Sequence, residues 1–151
     1  MNIFFQWSYG NDIVNMNRVI FEGGGEFPNN LNQYATVAER WSPENPSNTM
    51  HKFTASSNLQ TNLFSTRIIE DGSFLRLKTV SLGYSLPNEL LKKLKIRTFR
   101  VYASAQNLIT WTKYSGYDPE VSVLNSALTP GIDLSAYPRA RTLTVGLNLS
   151  F

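Results

Sequence analysis

The side chains best suited to chemistry in this chain are two carboxylate pairs, Glu70–Asp71 and Asp118–Glu120, and a solitary histidine, His51. Paired carboxylates perform acid–base or glycosidic chemistry only where they converge on one cleft with their pKa values pushed apart. Both pairs fall in Gly- or Pro-marked segments beside strand ends. There they are expected to make turns or to pair with nearby Lys and Arg. One histidine supplies neither a metal cluster nor a relay partner, and the absence of cysteine removes thiolate nucleophiles, disulfides and Cys-based zinc sites. The triple glycine at 23–25 lacks the strand before it, the helix after it and the Lys-Ser/Thr of a phosphate loop, so it reads as a flexible connection. The Asn148-Leu149-Ser150 sequon lies inside an amphipathic terminal stretch, not in a surface loop. No catalytic residue, metal or cofactor is expected.

The elements that would position these residues are strands. Hydrophobic residues make up 42% of the 151 and charged residues 17%, which argues against disorder. The net charge of +3 concentrates in Lys92, Lys93, Lys95, Arg97 and Arg100, a run that reads as a solvated turn rather than a nucleic-acid surface. No apolar run approaches the ~18 residues of a membrane helix, and no export signal opens the chain.

Strict alternation marks residues 141–151. Leu143, Val145, Leu147, Leu149 and Phe151 share one parity, and Thr142, Thr144, Gly146, Asn148 and Ser150 share the other. A strand over 97–111 sets Phe99, Val101, Ala103, Ala105, Ile109 and Trp111 against Arg100, Tyr102, Ser104, Gln106 and Thr110, with Asn107 and Leu108 out of phase. A strand over 74–86 changes phase near Lys78, as a β-bulge or passage out of the membrane zone would produce. The first strand, 3–9, aligns Ile3, Phe5, Trp7 and Tyr9.

The connections are unequal: a short turn at 87–96 with one or two helical turns, and long stretches at 10–73 and 112–140 rich in Asn, Pro, Gly and Ser. A weak helix is expected over 31–39 with Asn30 as its N-cap. Short turns on one side and long loops on the other are the asymmetry of outer-membrane barrels. With the long loops placed outside, Trp7, Tyr9 and Trp111 fall at one membrane boundary, and Tyr84 and Phe99 at the other, as aromatic belts. Four strands cannot close a barrel, so the remainder is expected from residues beyond this chain.

Three stretches carry a family resemblance: Ile69-Glu-Asp-Gly-Ser-Phe-Leu-Arg-Leu-Lys-Thr-Val-Ser-Leu-Gly-Tyr-Ser-Leu-Pro87, the run from Leu94 to Glu120 that includes Tyr102-Ala-Ser-Ala-Gln-Asn-Leu108, and Tyr137-Pro-Arg-Ala-Arg-Thr-Leu-Thr-Val-Gly-Leu-Asn-Leu-Ser-Phe151. Weaker matches are Trp7 to Asp12 and Glu39 to Pro46. Together they resemble the late barrel of SusC/RagA-type TonB-linked outer membrane proteins. The family usually has Pro-Arg near Met50-His51-Lys52, a departure that bears on that loop's conformation.

The resemblance implies an all-β antiparallel meander, the last strands of a transmembrane barrel of about 22 strands with a plug in its lumen. It implies the outer membrane as location and import of glycans, peptides or similar oligomers as function. Its implied partners are a SusD-like lipoprotein lid, the TonB complex acting through an N-terminal plug region, outer-membrane lipid and the barrel-assembly machinery, but no nucleic acid. Thr144, Gly146, Leu149 and Phe151 resemble the assembly signal that machinery recognises by strand addition. Arg100, Tyr102 and Gln106 are candidate lumen-lining residues. Tyr34, Trp41, Tyr114 and Tyr117 are candidates for cargo or lid contacts, or for holding the loops together. The rival reading is a soluble β-sandwich that binds carbohydrate. It accounts for the strands and aromatics but not for the terminal signal.

Overall fold

The computed structural model describes residues 1–22, 32–52, 65–122 and 130–151. Along the chain these form β1 (Asn2–Ser8), β2 (Asp12–Asn15), α1 (Met16–Glu22), 3₁₀ turns at Ala35–Glu39 and Thr66–Ile68, and β3 (Ile69–Asp71). There follow β4 (Phe74–Ser85), α2 (Asn88–Leu94), β5 (Thr98–Thr112), β6 (Ile132–Asp133) and β7 (Thr142–Ser150). Two compact units result, one of residues 1–10, 73–113 and 138–151, the other of 11–72 and 114–137.

The first unit is an antiparallel sheet in the order β1-β4-β5-β7. Its register carries the alternation across every strand. Ile3 pairs with Val80, Val80 with Ala105 and Ala105 with Leu143, so a single row on one face is apolar from edge to edge. The next rows add Leu82, Ala103 and Val145, then Tyr84, Val101 and Leu147. Among the described residues this face is largely open: Val145 is 79% exposed and Leu143 76%. Contiguous exposure of that kind on a soluble monomer would be a binding or aggregation surface.

Both phase breaks have a physical origin. The β4–β5 register shifts between Leu77 and Thr79, and the β1–β4 register shifts between Phe4 and Phe5, so Lys78 sits at the irregularity on both sides. Opposite it, Asn107 takes a left-handed conformation (φ 52°), which Asn tolerates better than most residues. Its Nδ2 donates to the Ala140 carbonyl at 3.1 Å. The out-of-phase pair Asn107–Leu108 is thus the extra length of a bulge, and Lys78 Nζ donates to Gln6 Oε1 beside it.

The short turn between β4 and β5 is α2. Pro87 precedes it with its φ already helical in value, Glu89 lies in the first turn and Lys92 and Lys93 in the last, matching the helix dipole. Lys95 closes it in the left-handed region (φ 56°), its N–H reaching the Leu91 and Lys92 carbonyls.

The long connections build the second unit. In it β2 pairs antiparallel with β3 and parallel with β6, giving a three-stranded sheet in the order β3-β2-β6. Gly131, at φ 74°, lies where an added Cβ would be 2.8 Å from the Asp12 carbonyl oxygen, so glycine permits β6 to approach β2. Ile13, Tyr114 and Val121 form the core with Ala136 against them. In the region expected to be helical the described part is the 3₁₀ turn Ala35–Glu39, preceded by Tyr34 without a side-chain cap. Asn30 and the glycines at 23–25 lie outside the described residues.

Candidate functional site

The polar face of the sheet is built around β5. Arg100 stands opposite Ser85 on β4 and Asn148 on β7, Tyr102 opposite Gly83 and Gly146, Ser104 opposite Ser81 and Thr144, and Gln106 opposite Thr79 and Thr142. Arg100, Tyr102 and Gln106 therefore share one face, aligned with hydroxyls, an amide and two glycines. The glycines are occupied by neighbours: a Cβ at Gly83 would come within 3.0 Å of the Arg100 guanidinium, and one at Gly146 within 2.4 Å of the Tyr102 ring. A shallow hollow of ≈ 250 Å³ lies along this face, lined in part by Ser81, Gly83, Arg100 and Tyr102. Farther along β4, Arg76 is 2% exposed, its guanidinium 5.6 Å from the Phe74 ring centroid.

The aromatic residues expected at the strand ends fall in ordered positions. Trp7 and Trp111 both pair with Leu75 and so form one row, both exposed. Tyr84 pairs with Val101, and Phe99 with Leu149, toward the opposite ends of those strands. Of the terminal motif, Thr144, Gly146 and Leu149 lie in β7 and Phe151 follows it, exposed.

In the second unit the four candidate contact aromatics separate. Tyr34 is exposed and tilts against Phe21, ring centroids 5.3 Å apart. Trp41 is exposed with Lys52 Nζ 5.8 Å from its ring, within cation–π range. Tyr117 is the most open of them at 80% exposed. Tyr114 differs: it is buried, and its hydroxyl donates to Asp133 Oδ2 at 2.5 Å. Burial and the Asp133 carboxylate both raise its pKa, so it is a neutral donor at every physiological pH. Of the two roles open to Tyr114, its position fits holding the loop together. Tyr114→Phe is expected to leave the 1%-exposed Asp133 short of a donor and to destabilise the second unit by roughly 1–3 kcal/mol. Faster amide exchange at residues 131–136, with the sheet unchanged, would report it.

The carboxylates do structural work. Glu70 accepts from the Ser115 N–H at 2.9 Å, the Ser115 hydroxyl at 2.8 Å and Asn15 Nδ2 at 3.0 Å, and Arg18 Nη1 lies 3.3 Å away. Burial acts to raise its pKa, but these donors and the Arg18 charge outweigh it and hold the carboxyl below its usual range. Asp118 Oδ1 accepts from the Glu120 N–H at 2.9 Å, a local turn.

Sequence reasoning missed Glu22. It is 2% exposed, pairs with Arg67 Nη2 at 2.8 Å and Arg18 Nε at 3.5 Å, and accepts from Thr36 Oγ1 at 2.8 Å. Its i,i+4 spacing from Arg18 in α1 is a local signal, but its other partners, Thr36 and Arg67, come from separated segments. Among the described residues no group of three or more His, Cys, Asp or Glu side chains could hold a metal.

A sheet with an exposed apolar face, a polar face bearing Arg and Tyr, and long connections folded separately is the arrangement of a barrel wall. Known proteins agree. No protein-family profile matches the chain. TonB-dependent receptor P3 of Formosa agariphila is 36% identical over the whole chain, and SusC, a TonB-dependent receptor of Bacteroides thetaiotaomicron, is 40% identical over 61% of it. The solved structure of the RagAB peptide transporter superposes on 99% of the chain with a TM-score of 0.79 at 33% identity. The chain belongs to the SusC/RagA-type TonB-dependent receptors. It spans 15% of the length of receptor P3 and of the matched RagAB chain, so it is a segment of that barrel type and its sheet is not closed. The receptor segment resembles the RagAB peptide importer in its closed-closed state equally well, with a TM-score of 0.78.

Proposed function

We propose that this segment is the C-terminal part of the barrel wall of an outer-membrane, TonB-dependent importer of oligomeric nutrients, glycans or peptides. One observation carries the reading: an apolar row, Ile3–Val80–Ala105–Leu143, runs edge to edge on a face left exposed, back to back with a polar face of Arg100, Tyr102 and Gln106. A barrel wall needs both faces, one for lipid and one for an aqueous lumen. The names of the relatives, receptors and a peptide transporter, support transport over catalysis. In this reading Trp7, Tyr9 and Trp111 lie at one lipid boundary and Tyr84 and Phe99 at the other. The second unit is then extracellular and offers Tyr34, Trp41 and Tyr117 to cargo or to a SusD-like lid. Thr144, Gly146, Leu149 and Phe151 present the strand to the assembly machinery, and energy arrives through TonB by way of a plug outside this segment.

The test is uptake by cells producing the full-length protein, offered labelled peptide and glycan oligomers separately. Accumulation of one pool that stops on deletion of the gene and on collapse of the proton-motive force supports import and names the cargo class. Uptake of both pools unchanged by deletion, with the protein recovered outside the outer-membrane fraction, would sink it.

A further inference from the structure

The alternation along β7 leaves one question of register open. A slip by one residue turns every apolar side chain to the wrong face and is strongly opposed. A slip by two does not. It exchanges Leu143 for Val145 and Val145 for Leu147 on one face, and Thr144 for Gly146 on the other, and the backbone ladder repeats with the same period. A tight turn would settle the matter, as α2 does between β4 and β5, but β5 and β7 are joined by residues 113–141.

What distinguishes the two-residue slips lies on the polar face. Tyr102 pairs with Gly146, and its ring lies over that glycine so closely that a Cβ there would be 2.4 Å from Cζ and from Oη. Gly146 is the one residue of β7 that is partly buried rather than exposed, and the ring lies over it. Its φ is not positive, so no backbone requirement explains the glycine. A slip by two sets Thr144 or Asn148 opposite Tyr102, with a side chain where the ring lies. Gly83, also paired with Tyr102, differs: the atoms over it are the end of the flexible Arg100 side chain, which can move aside.

We propose that Gly146 is the register key of β7, a socket for the Tyr102 ring that excludes pairings displaced by two residues. The inference does not depend on what is transported, since its readout is strand register alone. Overpacking the site is enough to bias register by about tenfold or more.

The test uses the full-length protein assembled in outer membranes, with cysteine pairs introduced into this cysteine-free segment. Ala103→Cys with Val145→Cys reports the native register, since those residues are directly opposed, and Ala103→Cys with Leu143→Cys or Leu147→Cys reports slips in either direction. In an otherwise native background only the first disulfide is expected. Thr144→Gly with Gly146→Thr moves the socket by two and is expected to transfer the crosslink from the 103–145 pair to the 103–143 pair. Tyr102→Ala, which removes the ring without adding bulk, is expected to lower the ratio of native to slipped crosslinks by about tenfold. Should the swapped protein fail to assemble, Tyr102→Ala decides alone. A crosslink still confined to the 103–145 pair in that variant overturns the proposal.

Discussion

Arginine at position 105 is expected to destabilise the assembled sheet by roughly 2–4 kcal/mol, whereas arginine at the adjacent position 104 is expected to cost little. Ala105 lies midway along β5 on the apolar face, in the row that runs from Ile3 through Val80 to Leu143. In the proposed barrel a guanidinium there would meet hydrocarbon at the bilayer midplane. Ser104 lies on the other face, opposite Ser81 and Thr144, where an aqueous lumen would solvate the same group. Two neighbouring residues thus serve as each other's control, with the same added charge and opposite environments. Urea unfolding of the full-length protein in lipid bilayers, followed by the loss of its heat-modifiable folded band, measures both. A soluble sheet whose face met water would accept Ala105→Arg as an ordinary surface change, within about half a kcal/mol. Equal effects at 104 and 105 would remove the membrane assignment.

The sheet was legible in the sequence because its determinants are local and periodic. Leu143, Val145, Leu147 and Leu149 declare a strand and a face without any partner being known. Even the defects left marks: the phase change at Lys78 admitted a bulge and Asn107 stood out of phase, but only the pairing shows that they are two sides of one irregularity. The second unit was not legible. Its central strand, Asp12–Asn15, is four residues long and pairs in parallel with Ile132–Asp133, more than a hundred residues away, and neither piece is long enough to show a period. Tyr114 illustrates the same limit for a site residue. Set in Tyr-Ser-Gly-Tyr, it reads as a loop aromatic free to meet a ligand, and Tyr117 three residues on is indeed 80% exposed. Distant neighbours bury Tyr114: Asp133 accepts from its hydroxyl, and Ile13 and Val121 pack with it. Charge and polarity near a turn signal exposure by default, and long-range pairing is what reverses that default.

Glu22→Ala is expected to be the most damaging single change in the second unit. Among the described residues the unit buries Ile13, Tyr114 and Val121 as one cluster, with Met50 and Ile68 also buried, and polar ties add to this packing. Glu22 holds three segments at once. Its carboxylate accepts from Thr36 and meets Arg67 from the 3₁₀ turn before β3, and its backbone carbonyl accepts from Arg40 Nη2 at 2.8 Å. The Arg67 contact is close in distance but not aligned as a hydrogen bond, so the attraction there is chiefly between charges. Removing one partner of a buried ion pair costs ~3–5 kcal/mol because the other charge is stranded. Arg18 and Arg67 keep 27% and 26% of their side-chain surface in water, which moves the expectation to the low end, about 3 kcal/mol. Glu22→Gln keeps a group of the same shape that can still accept from Thr36 while dropping the charge, and should fall between native and alanine. Trypsin provides the measurement, since Arg18, Arg40 and Arg67 are themselves cleavage sites held by this network. In the full-length protein, cleavage at Arg40 and Arg67 should accelerate in the order native, glutamine, alanine. Identical cleavage rates in all three would mean that the segments are held by something other than this carboxylate, and that its burial is incidental to the fold of the unit.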